Sequence, residues 1–231
     1  MEDAQYTQYY VAFLDILGFK NLVNNQQFTC QDILNLYDYL EYRHKEFFEG
    51  ESESLRNSIK MKIMSDSICL YTEADSPNAL FLLLAYCVTF QHDLLVQTPC
   101  VLIRGGITVG GMYAKGDVTF GPALTEAYLI EEKNAKVPRI IIRKETLDSG
   151  MNNIDKDKKE LIYRWIFRDD DAFYALDYFR LLVERDDKEA LVQVNLAVSD
   201  QLDKTIDESI RQKYLYVEKR INKWIEGKTN A

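Results

Sequence analysis

Two aspartates stand where the surrounding sequence is apolar. Asp15 interrupts the run Tyr9–Ile16, YYVAFLDI. Asp66 lies between Ser58–Met64 and Ser67–Thr72, two strand-like stretches separated only by Ser65 and Asp66 itself. A carboxylate taken out of water is costly unless it is paired, hydrogen-bonded or bound to a cation. Each aspartate alone could cap a turn, which Asp does often. On adjacent strands the two would make a hard-cation site, since Mg2+ is commonly held by one or two carboxylates plus substrate phosphates. Gly18 and Phe19 follow Asp15 at a strand-to-helix junction, where backbone amides point outward and favour anions. Carboxylates beside such a junction suit a metal–triphosphate. The chain carries no GxxxxGK[ST] sequence, so a P-loop is excluded.

The elements that must position these residues follow from periodicity. Tyr9–Ile16 reads as a buried strand and Phe19 to about Glu49 as a helix, with Ile33, Leu36, Tyr37 and Leu40 at helical spacing. Gly50–Asn57 is a polar loop. Two strands then meet at the tight Ser65-Asp66 turn, and Pro77 opens an apolar helix to about Val96. Val101–Val109 is a strand and Gly110–Gly121 a glycine-rich hairpin. Pro122 suits a first helical position, so Ala123–Ala135 is a helix. Arg139–Arg143 is a strand. The order predicts an α+β sandwich around a ferredoxin-type βαββαβ unit. Farther on, Asp148–Lys159 reads as polar and turn-rich. Tyr163–Phe167 and Phe173–Phe179 read as short strands, and Asp186 to about Trp224 as one long helix. Its stripe of Ile210, Tyr214, Val217, Ile221 and Trp224 could pack on the chain's own sheet or form a dimer seam. No linker separates two domains. Residues 1–147 form a core, and 148–231 complete the same domain as C-terminal strands and a helical extension.

Composition narrows the function. The 231 residues carry a net charge of −9, with 47% hydrophobic residues. The acidic balance argues against a protein that grips nucleic acid by bulk charge. Cys30, Cys69, Cys87 and Cys100 form no CxxC pair, and the last three sit among apolar residues as reduced core cysteines do. The N-terminus lacks a secretory pattern, and the apolar run Ala79–Phe90 is short for a membrane span. These features lead to the expectation of a cytoplasmic protein with neither nucleic-acid nor membrane partner. His44 and His92 are too isolated for a metal pair. Asp169-Asp170-Asp171 and Asp186-Asp187 read as helix caps and solvated loops.

Four segments in order resemble the class III nucleotidyl cyclases. Phe13-Leu14-Asp15-Ile16-Leu17-Gly18-Phe19 is similar to their FxDIxGF motif. Lys62-Ile63-Met64-Ser65-Asp66 is similar to their KxxGD hairpin, with Ser for Gly. Arg104-Gly105-Gly106-Ile107-Thr108-Val109-Gly110 resembles their RxGIxxG strand, and Gly121–Ala127 resembles their GxxVNxA helix. The resemblance implies two divalent cations, Mg2+ or Mn2+, on Asp15, Asp66 and the Ile16 carbonyl. It implies that the amides of Leu17, Gly18, Phe19 and Lys20 cradle the β- and γ-phosphates. It also implies a head-to-tail homodimer in which one subunit supplies the metal ligands and the other the glycine-rich hairpin and following helix.

The departures bear on substrate. Base and ribose recognition in the family maps to Lys62, Val118 and Thr125. Lys62 matches the adenine-type lysine, whereas Val118 replaces a polar residue and cannot make its hydrogen bond. The transition-state arginine of the family matches Leu129, leaving Arg104, Lys133 and Arg139 as candidate charge stabilisers. Glu126-Ala127-Tyr128, Glu131, Ala135 and Pro138-Arg139-Ile140 resemble the bacterial Pycsar pyrimidine cyclases of anti-phage defence. That resemblance implies conversion of UTP, or CTP, to a cyclic monophosphate read by a separate cyclic-nucleotide-sensing effector. A non-catalytic cyclase-like binding module, or a purine cyclase with a rearranged pocket, is the alternative.

Overall fold

The computed structural model describes residues 5–24, 29–97, 99–169, 171–185 and 187–229. The chain opens with β1 (Thr7–Ile16), α1 (Phe19–Asn24), α2 (Cys30–Phe47) and α3 (Glu53–Arg56). The hairpin β2 (Lys60–Met64) and β3 (Ser67–Glu73) follows, then α4 (Ala79–Val96), β4 (Ile103–Lys115), β5 (Val118–Phe120), α5 (Pro122–Asn134) and β6 (Ile140–Ile142). The remainder comprises α6 (Lys144–Met151), α7 (Lys156–Trp165), β7 (Ile166–Arg168), β8 (Tyr174–Leu176), α8 (Phe179–Glu184), α9 (Lys188–Lys204) and α10 (Glu208–Thr229).

Among the described residues the strands form one sheet in the order β2-β3-β1-β4-β6-β8-β7, with β5 hairpinned onto β4. β1 lies antiparallel between β3 and β4, β4 runs parallel to β6, and β8 is antiparallel to both its neighbours. The first four strands and their helices are the expected βαββαβ unit. Side chains alternate faces along a strand. Tyr10, Ala12, Leu14 and Ile16 of β1 therefore pack with Ile68, Leu70 and the helices α2 and α4 in the main core. Tyr9 and Val11 face the other way, against Cys69, Tyr71, Met112 and the α5 residues Ala123 and Ala127. α4 is apolar on all sides because it is enclosed. It is the one helix among the described residues long and apolar enough to cross a membrane, and most of it is buried in this core.

Gly106 lets α5 rest on the sheet. A Cβ there would stand 2.6 Å from the Ala127 carbonyl oxygen and 2.7 Å from the Ile130 side chain.

Several expected elements differ. The single helix Phe19–Glu49 is two helices, with residues 25–28 outside the described set. Thr29 starts α2 by accepting the Asp32 N–H, while Asp32 accepts the Thr29 N–H at 2.7 Å, a reciprocal cap. The turn-rich stretch Asp148–Lys159 lies largely in α6 and α7. Each buries a narrow stripe (Thr146, Leu147 and Gly150; Ile162) and leaves polar residues outward, so few apolar positions mark either helix. Tyr163–Trp165 close α7, and the strand expected there begins at Ile166.

The long C-terminal helix is also two. α9 starts on an Asp187 cap, whose Oδ1 accepts the Ala190 N–H at 2.9 Å; Asp186 lies outside the described residues. A new cap at Asp207, accepting the Ile210 N–H at 3.0 Å, begins α10. Tyr214, Val217, Ile221 and Trp224 are spent within the chain. They pack with Leu95, Leu102, Tyr178, Val194 and Val198. Arg220 pins α10 to the sheet edge, donating to Asp177 at 2.8 Å with its guanidinium 3.8 Å over the Phe167 ring.

Candidate active site

The antiparallel register brings the two aspartates to one end of the sheet. Asp15, near the end of β1, pairs across to Ser67 on β3 and to Arg104 on β4. The Ile16 N–H donates to the Asp66 carbonyl at 2.9 Å, so the Ser65-Asp66 turn is tied directly to the Asp15-Ile16 backbone. Ser65 holds a left-handed φ of +56°. A non-glycine residue pays for that conformation, which explains why glycine suits the position. The Tyr37 hydroxyl steadies the turn by donating to the Ser65 carbonyl at 2.9 Å.

Beyond Ile16 the chain turns sharply at Gly18, whose φ is +81°. Leu17 donates its N–H to the Leu102 carbonyl at 2.9 Å, and its side chain packs in the C-terminal cluster. Its amide is therefore already used. Gly18 and Lys20 are exposed, and Phe19 anchors its ring in the main core.

Arg104 joins the Asp15 carboxylate to α5. Its Nε donates to Asp15 Oδ2 at 3.0 Å and its Nη1 to the Ala135 carbonyl at 3.2 Å. Its Nη2 stands 2.7 Å from Glu131 Oε1, a close charge contact without hydrogen-bond alignment. Glu131 is only 3% exposed. Desolvation drives its carboxyl up to about 7, reinforced by Asp15 and Glu132 and opposed by Arg104 and Lys136.

Sequence reasoning placed Glu131 in a motif and gave it no role in the site. The available signal was its position, on the α5 stripe that also buries Ala123, Ala127 and Ile130. A charged residue on a buried helical stripe demands a partner.

The remaining candidates lie elsewhere. Lys62 reaches the hairpin, donating to the Gly116 carbonyl at 2.9 Å, two residues from the exposed Val118. Thr125 is exposed on α5 with its hydroxyl donating to Gly121, and Leu129 is half-buried. Among the described residues no hydrogen bond or ion pair connects Lys62, Val118 or Thr125 to Asp15 or Asp66. Lys133 is exposed. Arg139 is buried and bound to Asp169 and Asp171, with a further hydrogen bond to the Asn134 carbonyl. These two acids are thus a clamp rather than a solvated loop; Asp170 lies outside the described residues. His44 meets the Tyr86 hydroxyl at 3.1 Å, and His92 meets Asp93 at 3.1 Å.

The donor set fits a hard divalent cation, because Asp15, Asp66 and the Ile16 carbonyl offer only oxygen. Among the described residues no group of three or more His, Cys, Asp or Glu gathers to hold a metal. Further ligands must therefore come from backbone, water or substrate phosphate.

No family model and no curated protein matches the sequence. Solved structures do match in shape. The catalytic core of a rhodopsin-guanylyl cyclase with converted specificity, in complex with ATPαS, superposes with a TM-score of 0.52 at 18% identity. The match covers 64% of this chain and 83% of that one. A bacterial light-regulated adenylyl cyclase gives 0.49 at 12% identity, over 80% of this chain and 99% of that one. An adenylate/guanylate cyclase/hydrolase from Silicibacter pomeroyi gives 0.46 at 15%, over 67% and 86%. At 18% identity the likeness to the first of these is one of fold alone: the chain has the α+β fold of that cyclase catalytic core.

Proposed function

We propose that this chain is a nucleotide cyclase that converts UTP, or CTP, to its 3′,5′-cyclic monophosphate and pyrophosphate. The carrying observation is that the Asp66 turn is bonded to Ile16, the neighbour of Asp15, at the sheet end where Arg104 meets the Asp15 carboxylate, within a cyclase-like fold. In the reaction the ribose 3′-oxygen forms a bond to the α-phosphorus. The bond from that phosphorus to the bridging oxygen breaks, the 3′ proton leaves to solvent, and pyrophosphate departs. Two divalent cations held by Asp15, Asp66 and the Ile16 carbonyl would supply charge neutralisation and a more acidic 3′-hydroxyl. The backbone from Gly18 to Lys20 orients the terminal phosphates, and Arg104 offers positive charge where pyrophosphate leaves.

Val118 pairs with Lys115 at the opposite end of β4 from Arg104, the strand partner of Asp15, and the Thr125 hydroxyl bonds to Gly121 and to neither carboxylate. That separation supports a site shared between two copies of the chain, with Lys62, Val118 and Thr125 facing the nucleotide of the other subunit. A valine at 118 leaves half of the adenine-reading pair missing and argues against adenine; the motif resemblance supplies the choice of a pyrimidine. The motif resemblance extends the reading to defence signalling through a separate effector that senses the cyclic product.

The test incubates purified protein with ATP, GTP, CTP and UTP, with Mn2+ and with Mg2+, and identifies products by mass spectrometry. Cyclic UMP or CMP is expected from the wild type. Asp66→Ala abolishes it while leaving the melting temperature within a few degrees. Cyclic AMP or GMP instead would keep the mechanism and overturn the pyrimidine assignment. Leu129, at the position of the charge-stabilising arginine, favours a second reading, a nucleotide-binding module without turnover; an intact dimer that binds nucleotide and forms no product would establish it.

A further inference from the structure

We propose that Glu131 is a positioning residue for the Asp15 site, holding the Arg104 guanidinium so that it grips Asp15 by one side N–H only and leaves the rest of that carboxylate to a divalent cation. The inference rests on the cyclase reading and adds to it a residue that touches neither metal nor nucleotide. The contacts of Arg104 carry it. An arginine beside a carboxylate ordinarily closes on both oxygens with two parallel N–H groups. Here a single donor, Nε, faces Asp15, and it reaches a single oxygen, Oδ2. Both terminal nitrogens are directed to the end of α5, Nη2 to Glu131 and Nη1 to the Ala135 carbonyl.

At pH 8 Glu131 is the buried anion that holds the fork in this orientation, because a backbone carbonyl alone offers only a neutral acceptor. Without its charge the guanidinium is free to turn onto both Asp15 oxygens and compete with the cation for them. Glu131 is 3% exposed, so its charge is little screened, while the Arg104 side chain is 22% exposed.

The test measures Mn2+ binding by the loss of its free electron-paramagnetic-resonance signal, with Mn2+ as the only ligand, at pH 8. Four proteins are compared: wild type, Asp66→Ala, Glu131→Gln, and the double variant Glu131→Gln with Arg104→Ala. Glu131→Gln is expected to weaken Mn2+ binding by about tenfold. The double variant is expected to bind Mn2+ as tightly as wild type, because the competing cation is gone, while its turnover stays low. Unchanged Mn2+ binding in Glu131→Gln would overturn the inference and leave the cyclase reading intact. So would a double variant that stays weak, which is the outcome of a purely structural role. A wild type that takes up no Mn2+, matching Asp66→Ala, would overturn both. A series that follows expectation in a protein that forms no cyclic product would leave the role of Glu131 standing and remove the proposed activity.

Discussion

At the scale of single residues, Glu131 has a consequence for stability that is separate from metal. Its carboxyl titrates near 7 in the folded chain against 4.5 for the free group. Between those values the native protein keeps a proton that the unfolded chain has released, so stability falls as pH rises through that window. Glu131→Gln removes the titration. Its melting temperature relative to wild type should therefore climb between pH 5 and pH 8, by an amount corresponding to as much as ~3 kcal/mol. Calorimetry at a series of pH values checks this, and a constant difference would show that Glu131 titrates normally. Ser65 is the second case. Ser65→Gly relieves the left-handed φ at the turn and should stabilise the fold by about 1 kcal/mol, read as a higher urea midpoint with the same slope. If Tyr37 and the turn depend on the serine side chain instead, the midpoint falls.

At the scale of elements, α5 is the part whose seating matters most, because it carries Glu131 and the Ala135 carbonyl to Arg104. Gly106→Ala places a methyl group against the Ala127 carbonyl and Ile130. It should cost about 1–3 kcal/mol by overpacking and loosen the Arg104 contacts. Thermal denaturation with Mn2+ titration on the same variant measures both effects, and an unchanged melting temperature would mean that the helix shifts freely. The elements that build this end of the molecule were legible in the sequence. β1 shows as an apolar strand broken by Asp15, the Ser65-Asp66 turn shows as two strands with no room between them, and Pro122 marks the start of α5. The distal helices were not legible for a physical reason. α7 buries one residue, Ile162, and no glycine or proline marks the break before α10; only the side-chain cap of Asp207 does so. Glu131 was missed because a lone carboxylate on a helix looks solvated until the partner strand is known.

At the scale of the whole molecule, α2, α4 and α6 pack on one face of the sheet, while α5 packs on the other. Tyr6, Tyr113 and Phe120 cluster on the hairpin beside it, with ring centroids 6.0 Å and 5.2 Å apart. Val118, Phe120 and Tyr128 are exposed. Exposed apolar surface of this kind suits association, and the proposed shared site assigns it to a second copy of the chain. Phe120→Asp should convert a dimer to a monomer in sedimentation analysis, abolish cyclic-product formation and leave the melting temperature within a few degrees. A fully active monomer would exclude a shared site. The other end of the molecule bears on timing. The Leu17 amide is bonded to Leu102, and its side chain lies in the cluster formed with α8, α9 and α10. In hydrogen exchange that amide should be protected together with the C-terminal helices, although Gly18 beside it is open to solvent. The turn proposed to meet a triphosphate is therefore tied at its first residue to the C-terminal helices and open to solvent at its second.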